Sequence, residues 1–390
     1  MRKLRWFVFL QLSGAFLACG AKAQKVVDVV PFDLIDNRIF VNAKVNGQGP
    51  FHLLLDTGAA ATLRMEVAAQ LGLVKENDFE TGGVGSGTVS GYRTHLRAVE
   101  IGKAHVEDIE SNVLPFDDTP AVFGTARVDG YIGYEFFEKY VVKHDYENRT
   151  VTFLDAKTFQ YAGSGEILRI EATEYVPVVE GKLDGVPAKF GIDTGARSSL
   201  IVYGPYVASH GLREKYKPKF QGVTGWGIGG PVRSEIARID SVELGGAKID
   251  RVVARFSLNK TGATAGNSKA GLIGPDILKR FTVICDYKRK RLILEKNKNF
   301  VVKDTYDKAG VWLIQNGTGF EVMDVIAGGP AEKAGLRVGD HVVAVDGVES
   351  RSLVLPEVRD RWKYADAGTK VRLKIAGNSK EVVLTLVELV

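Results

Sequence analysis

The chain has 390 residues, of which 45% are apolar and 25% are charged, with a formal net charge of +5 at pH 7. This composition excludes wholesale disorder, because so many apolar residues can bury enough surface to offset the entropy of ordering, and the length predicts two or three domains. Glycine is in excess, with 44 residues, and without a Gly-X-Y period this predicts many tight turns and a mainly β fold.

The start of the chain has the three-part pattern of a secretory signal. A basic stretch (2–5) precedes an apolar run (6–19), and Ala21-Lys22-Ala23 predicts cleavage after residue 23. Cleavage of the signal peptide, residues 1–23, would remove four basic residues and lower the formal net charge to +1. That balance excludes the clustered basicity of a nucleic-acid-binding surface. We therefore expect an exported protein, periplasmic or at the cell surface.

Of the two cysteines, Cys19 lies in the predicted signal and Cys285 in a strand-like apolar run, so no intramolecular disulfide would remain after cleavage. The segment Phe16-Leu17-Ala18-Cys19-Gly20 resembles the acylation box of bacterial lipoproteins, although leucine is usual where this chain has Phe16. A lipid anchor at Cys19 is therefore an alternative to soluble export.

A four-residue motif occurs twice, each time after an apolar run. Asp56-Thr57-Gly58-Ala59 follows residues 51–55, and Asp193-Thr194-Gly195-Ala196 follows residues 189–192. The apolar run predicts a buried strand that delivers the aspartate at its end, and the glycine permits a tight turn there.

The sequence downstream of the motif is also duplicated. Each copy has a glycine-rich segment, an Ile-Gly element (Ile132-Gly133 and Ile273-Gly274) and an Asp-Tyr pair. From the motif aspartate to the Ile-Gly glycine there are 77 residues in the first copy and 81 in the second; to the Asp-Tyr aspartate there are 89 and 93. This constant difference indicates two copies of one structural unit, with one small insertion in the second.

Two such aspartates can meet across a pseudo-two-fold axis. Carboxylates about 3 Å apart cannot both ionise at modest cost, so they share one proton. The charged member can act as a general base toward water, and the protonated member can donate a hydrogen bond to a scissile carbonyl.

Over roughly residues 28–297 the chain resembles the retropepsin-like (pepsin-clan) aspartic proteases. The resemblance implies a mainly β, bilobal acid-protease fold, with lobe 1 over 24–160 and lobe 2 over 161–300. It implies that Asp56 and Asp193 are the catalytic dyad. Supporting positions in the family's motif are Thr57, Gly58, Thr194 and Gly195. Pepsins have serine where this chain has Ala59 and Ala196, and they carry disulfides, so the retropepsin-like branch is favoured.

In that family a β-hairpin flap covers the substrate, and the glycine-rich segments 82–87 and 225–230 occupy its position in the sequence. The flap and cleft residues implied are Gly83, Val84, Gly85, Trp226, Gly227 and Ile228. Ordinary hairpin turns are the alternative interpretation, and for Trp226 burial in the core is another. Neither segment has a phosphate-loop pattern.

From about residue 301 the pattern changes and no third copy follows. Residues 301–390 suit one small domain. Within it, Gly317-Thr318-Gly319-Phe320 resembles the carboxylate-binding loop of PDZ domains, and residues 328–340 resemble the following stretch of bacterial PDZ domains. The resemblance implies a domain that binds an extended peptide as an added strand.

Other chemistry-bearing residues fit structural roles. The six histidines have no metal-ligand spacing, Ser198 and Ser199 lack a nucleophile elbow, and Asp145 and Asp286 suit turns at strand ends. No metal or other cofactor is predicted.

The sequence thus predicts an exported aspartic endopeptidase that acts on polypeptides, with a PDZ domain for a peptide or protein ligand; a monomer is compatible with two lobes in one chain. The alternative is a catalytically inactive peptide-binding scaffold that uses the PDZ domain and the protease-like cleft. A third possibility is an enzyme that is silent until its PDZ domain is occupied.

Overall fold

The computed structural model describes residues 24–117, 119–171, 176–377 and 381–390. The predicted signal peptide and the candidate lipid-anchor residue Cys19 lie outside the described residues. Among the described helices, none combines the length and the apolar character needed to cross a membrane.

In lobe 1, short apolar runs bounded by turn-forming residues become strands, as their β-branched and aromatic content favours. The elements are β1 (Val26–Pro31), β2 (Asp33–Ile35), β3 (Arg38–Val45), β4 (Gln48–Leu55), β5 (Thr62–Arg64), α1 (Met65–Gln70), β6 (Asn77–Gly82), β7 (Thr88–Ile101), β8 (Ala104–Leu114), α2 (Thr119–Val122), β9 (Gly130–Ile132), α3 (Tyr134–Lys139), β10 (Tyr140–Asp145) and β11 (Thr150–Asp155).

Lobe 2 has a similar order of strands, with two consecutive helices where lobe 1 has α1. Its elements are β12 (Glu166–Glu171), β13 (Val178–Leu183), β14 (Val186–Ile192), β15 (Leu200–Val202), α4 (Gly204–Ser209), α5 (Leu212–Tyr216), β16 (Phe220–Gly227), β17 (Gly230–Leu244), β18 (Ala247–Ser257), β19 (Gly271–Ile273), α6 (Pro275–Leu278), β20 (Phe281–Asp286) and β21 (Arg291–Lys296).

The remaining elements form a separate small sheet with two helices. They are β22 (Val311–Asn316), β23 (Gly319–Val325), α7 (Pro330–Lys333), β24 (His341–Val345), β25 (Val348–Glu349), α8 (Leu355–Tyr364), β26 (Lys370–Ile375) and β27 (Glu381–Thr385). The strand order is β22-β23-β24-β26-β27, so β22 lies at one edge of this sheet.

The two lobes share the same unusual pairings. In lobe 1, β4 runs parallel to β9 and β5 parallel to β8; in lobe 2, β14 runs parallel to β19 and β15 parallel to β18. The parallel pairs set the Ile-Gly element beside the motif strand, with Leu55 opposite Ile132 and Ile192 opposite Ile273. The two sequence copies therefore share the same strand topology around the motif.

A continuous sheet joins the lobes. Strand β10 of lobe 1 pairs with β20 of lobe 2, which extends the order β1-β11-β10-β20-β21-β12 across the molecule. Above this sheet the large side chains of both lobes form one core, which includes Phe137, Phe153, Phe190 and Phe281. Cys285 lies within β20 and is fully buried, and this burial raises the pKa of its thiol. It is an inert core residue.

Candidate active site

Both motif aspartates lie where a buried strand ends, and their carboxylates are held in the same way. The Asp56 Oδ1 accepts a hydrogen bond from the Gly58 N–H (2.7 Å). The Asp193 Oδ1 accepts from the N–H groups of Gly195 (2.9 Å) and Ala196 (3.0 Å). The turn glycine therefore supplies a backbone donor that fixes each carboxylate.

Each Ile-Gly element places its glycine directly after the short strand that pairs with the motif strand, β9 or β19. A Cβ on Gly133 would lie 1.8 Å from the backbone oxygen of Asp56, and a Cβ on Gly274 would lie 2.2 Å from that of Ser198. No side chain fits at either position. The glycines let the ends of β9 and β19 approach the motif turns closely.

The two motif threonines join the lobes beneath the aspartates. The Thr57 N–H donates to the Thr194 Oγ1 (3.0 Å), and the Thr194 N–H donates to the Thr57 Oγ1 (3.1 Å). The Thr57 hydroxyl then donates to the Ile192 carbonyl (2.7 Å), and the Thr194 hydroxyl to the Leu55 carbonyl (3.2 Å). Both threonines are fully buried. These four bonds fix one motif turn against the other.

This arrangement brings the two carboxylates together. A Cβ placed on Gly58 would lie 3.4 Å from the Asp56 Oδ1 and 3.9 Å from the Asp193 Oδ1, and one placed on Gly195 would lie 2.2 Å from the Asp56 Oδ2. Both acidic groups thus converge on the two glycines that face each other across the pseudo-two-fold axis.

The site favours a shared proton. Burial and the neighbouring Asp193 carboxylate raise the pKa of Asp56 to about 7. Burial also raises the pKa of Asp193, while the N–H groups of Ala196 and Gly195 and the charge of Arg38 oppose that rise. One proton can therefore remain on the pair in mildly acidic to neutral solution while the other carboxylate stays charged.

A cation beside the dyad was not predicted from the sequence. Arg38 is 5% exposed, and its Nε donates to the Gly195 carbonyl at 2.5 Å. Its guanidinium also pairs with Asp36, which in turn accepts a hydrogen bond from Arg197 Nε at 2.9 Å. This buried ion cluster (Arg38, Asp36 and Arg197) attaches the lobe 2 motif turn to lobe 1.

The two glycine-rich segments are the turns of two hairpins, β6–β7 and β16–β17, and their tips meet. The Gly85 N–H donates to the Ile228 carbonyl (3.1 Å), and the Gly87 N–H to the Gly229 carbonyl (2.8 Å). A Cβ on Gly85 would lie 2.2 Å from the Gly229 carbonyl carbon. Glycine is required here because two backbones are in direct contact.

Further contacts hold the first tip from the side. The Ala263 N–H donates to the Gly83 carbonyl (2.9 Å), and the Asn259 side chain donates to the Val84 carbonyl (3.2 Å). The Val84 side chain packs on a small apolar cluster of lobe 2 that includes Ile201 and Leu272. Residues 82–87 are thus fixed over lobe 2 in a closed arrangement.

Beneath the two hairpins lies a cleft of about 1460 Å³. Its lining includes the predicted residues Asp56, Gly58, Asp193, Gly195, Gly83, Val84, Trp226, Gly227 and Ile228. Trp226 is half-buried against an aromatic cluster of lobe 1 that contains Phe40 and Phe123, so it belongs to the cleft wall and to the packing between lobes. Gly85 sits at the tips above this cleft.

The four residues predicted to hold a peptide carboxylate in the PDZ domain lie at the β22–β23 turn. Gly317 and Thr318 form the exposed turn of the tight hairpin β22–β23, Gly319 begins β23 opposite Asn316, and Phe320 is 1% exposed in the domain core. A Gly-Thr-Gly-Phe sequence suits such a two-residue hairpin turn as well as a ligand loop, and the binding of a peptide carboxylate by these residues stays a prediction.

The two aspartates predicted to serve turns at strand ends make local contacts with neighbouring side chains and backbone. Asp286 is fully buried and forms ion pairs with Arg289 and Arg291, and Asp145 accepts a hydrogen bond from the Asn148 N–H. Within residues 24–117, 119–171, 176–377 and 381–390, no cluster of three or more His, Cys, Asp and Glu side chains could hold a metal ion.

Comparison with known proteins agrees with this architecture. The aspartyl protease family model matches residues 41–136 and 179–277, half of the chain, and a PDZ family model matches residues 321–377. The chain therefore belongs to the retropepsin-like aspartyl protease family and carries a C-terminal PDZ domain. The mainly β, bilobal fold with a PDZ domain predicted from the sequence is confirmed.

Individual known proteins are similar to parts of the chain. A carboxyl-terminal-processing protease of Synechocystis sp. is 37% identical over 92 residues, which cover 23% of this chain and 21% of that protein. The chain thus spans about a fifth of the length of this curated relative. The crystal structure of an aspartic proteinase from Irpex lacteus has 14% identity and a TM-score of 0.45, covering 70% of this chain and 98% of that one.

The threonine network should contribute measurably to stability. Thr194→Val removes the acceptor of the Thr57 N–H and the donor to the Leu55 carbonyl, and leaves both groups buried without those partners. We expect the free energy of unfolding, measured with urea, to fall by about 1–3 kcal/mol. The control Thr385→Val changes an exposed strand residue and should stay within about 0.5 kcal/mol. Equal losses in both variants would contradict the network.

The contact between hairpin tips should respond to a single methyl group. In Gly85→Ala the new Cβ cannot coexist with the Gly229 carbonyl, so the tips must separate and hydrogen exchange of the amides at 85–87 should accelerate. The control Gly82→Ala lies on the same hairpin, where the nearest atom to a Cβ is 3.6 Å away, and should exchange as the wild type does. Unchanged exchange in Gly85→Ala would show that the tips are apart in solution.

Proposed function

We propose that this protein is an aspartic endopeptidase that hydrolyses peptide bonds with water activated between Asp56 and Asp193. The observation that carries the proposal is the facing pair of strand-end carboxylates, which the threonine network holds together and whose pKa values are raised. Membership of the aspartyl protease family supports a peptidase, and we propose that this protein is catalytically active.

In the proposed reaction, the charged carboxylate removes a proton from a water molecule between the two aspartates. The water oxygen attacks the scissile carbonyl carbon while the protonated carboxyl transfers its proton to the carbonyl oxygen, which gives a neutral tetrahedral diol. In the second step one diol hydroxyl gives its proton to the charged carboxylate, the C–N bond breaks, and the leaving nitrogen takes a proton from the other carboxyl, so the dyad ends with the single proton it began with. The enzyme forms no covalent intermediate.

The substrate proposed is an extended polypeptide that lies in the cleft under both hairpins. Because the tips are joined by backbone hydrogen bonds, they must separate for a chain to enter and close again over it. Closure would exclude bulk water, which strengthens the electrostatic interactions within the site.

We also propose that the protein is exported, on the strength of its N-terminal pattern. Sequencing of the mature N-terminus separates the two routes: cleavage after Ala23 indicates soluble export, and a lipid-modified Cys19 indicates anchoring. An N-terminus at Met1 in the mature protein would contradict both.

The dyad itself is tested by single amide substitutions. In Asp56→Asn and in Asp193→Asn, one carboxylate can no longer exchange the proton, so we expect cleavage of denatured casein to fall at least a thousandfold in both. The control is Asp145→Asn, which changes the duplicated aspartate outside the cleft and should keep wild-type activity. Activity that survives either dyad substitution excludes the shared mechanism, and inactivity of the wild type across acidic to neutral pH favours the peptide-binding scaffold.

The pH dependence follows from the raised pKa of Asp56. As the pH rises through about 7, the dyad loses its shared proton, so kcat/KM should fall about tenfold per pH unit above that value. Arg38 lowers the pKa of both aspartates. In Arg38→Met we therefore expect the whole pH profile of kcat/KM, its acidic limb and its alkaline limb, to move to higher pH. The exposed Arg97 provides the control, and Arg97→Met should leave the limbs in place. A limb unmoved by Arg38→Met would exclude this electrostatic role.

A further inference from the structure

PDZ domains bind an extended peptide as an added strand at a sheet edge. Among the strands that the structure describes, β22 pairs with β23 alone, so its other side is such an edge. Helix α8 lies beside that edge, since its Arg359 donates a hydrogen bond to the Leu313 carbonyl of β22 at 2.8 Å. The groove between β22 and α8 is thus where a peptide added as a strand to this edge would lie.

A segment of lobe 1, residues 119–126, covers this groove. It begins with the short helix α2, which packs against β22. The guanidinium of Arg359 donates to the Val122 carbonyl at 2.7 Å and to the Ala121 carbonyl at 2.8 Å, in addition to its bond with Leu313. With Arg359 only 8% exposed, a buried charge joins the end of α2 to the edge strand.

The following residues of the segment fit the groove closely. The Gln315 Oε1 accepts hydrogen bonds from the Thr125 N–H (3.2 Å) and the Leu355 N–H (3.1 Å). Gly124 has a φ of +61°, and a Cβ there would lie 2.1 Å from the Gln315 Oε1 and 2.9 Å from the Leu355 Cβ. Any side chain at position 124 would push the segment out of the groove.

The opposite side of the segment faces the substrate cleft. Val122 and Phe123 line that cleft, and the Phe123 ring packs edge-on against Phe40 with centroids 5.4 Å apart. Arg38, whose guanidinium lies 5.0 Å from the Phe123 ring centroid, connects this packing to the dyad turn. The segment therefore lies between the PDZ groove and the cleft wall.

A stacked group extends the contact to lobe 2. The Trp312 ring of β22 lies 4.4 Å from the Arg359 guanidinium and 5.6 Å from that of Arg197. Arg197 follows the Asp193 motif directly and belongs to the buried ion cluster with Asp36. The edge strand of the PDZ domain thus contacts both lobes beside the dyad.

We propose that the peptide groove of this PDZ domain is an internal receptor for residues 119–126 of the same chain. An external peptide that pairs with β22 needs the space this segment occupies, so the two exclude each other. Departure of the segment withdraws Val122 and Phe123 from the cleft wall. The groove thereby couples occupancy of the PDZ domain to the shape of the substrate cleft.

The test is hydrogen exchange on the full chain, which needs no peptidase activity and so is independent of the proposed function. In Arg359→Ala, amides within 119–126 should exchange at least tenfold faster than in the wild type. The matched control Arg361→Ala removes an exposed arginine from the same helix and should change nothing there. Strands β24 and β26 report whether the PDZ domain stays folded. Equal exchange at 119–126 in both variants, with those strands protected, would overturn the proposal.

A second pair of variants acts from lobe 1 and leaves the PDZ domain unaltered. Asparagine tolerates a left-handed backbone, so Gly124→Asn tests how closely position 124 fits the groove and not its backbone conformation. We expect this variant also to accelerate exchange at 119–126 at least tenfold. Gly72 has a φ of +63° with no atom within 4 Å of a Cβ, and Gly72→Asn should leave the segment protected. A segment that stays protected in Gly124→Asn would exclude the groove as its receptor.

Discussion

The mutual hydrogen bonds of Thr57 and Thr194 are the contact on which the whole site depends. Each hydroxyl accepts from a backbone N–H of the opposite lobe and donates to a strand carbonyl there. Because both threonines are buried, separation of the lobes at this point would break four hydrogen bonds in the interior, at a cost in free energy. The network therefore forces Asp56 and Asp193 together despite their repulsion, and the raised pKa of Asp56 is the electrostatic consequence.

The two copies of the lobe use equivalent loops for different contacts. In lobe 1 the loop between β8 and β9 contains residues 119–126 and fills the PDZ groove. In lobe 2 the loop between β18 and β19 contains Asn259 and Ala263, which bind the tip of the first hairpin. Duplication of the lobe explains the symmetry of the dyad. The β8–β9 and β18–β19 loops have diverged, so the surroundings of the dyad are asymmetric.

Much of the site followed from sequence because its determinants are local. A buried strand that ends in Asp-Thr-Gly places a carboxylate, and the Ile-Gly glycines mark close backbone contacts, so motif and spacing together predicted the pairing of Asp56 and Asp193. The PDZ loop stays a prediction, because Gly317-Thr318-Gly319-Phe320 is compatible with a tight hairpin turn and with a ligand loop. The strand order that decides between these two structures is set by distant segments.

The contacts between domains could not be predicted in the same way. Arg359 binds carbonyls more than 200 residues away in the sequence, and a backbone acceptor has no sequence signature. One local signal did exist: Arg38 begins a strand whose first four residues are buried, and a buried cation needs partners. An arginine at the start of an apolar, strand-like run therefore indicates a functional or interdomain contact.

The PDZ domain holds one of the two hairpins over the cleft more firmly than the other. Asp324 of β23 accepts a hydrogen bond from the Val223 N–H at 2.7 Å and forms an ion pair with Arg233 at 2.9 Å, which ties the stem of the β16–β17 hairpin to the PDZ domain. Strand β6 of the other hairpin is an edge strand of mostly exposed and half-exposed residues, fixed mainly at its tip. We therefore expect the cleft to open by movement of the β6–β7 hairpin, which is fixed mainly at its tip, whereas the β16–β17 hairpin would also have to break the contacts of its stem with the PDZ domain.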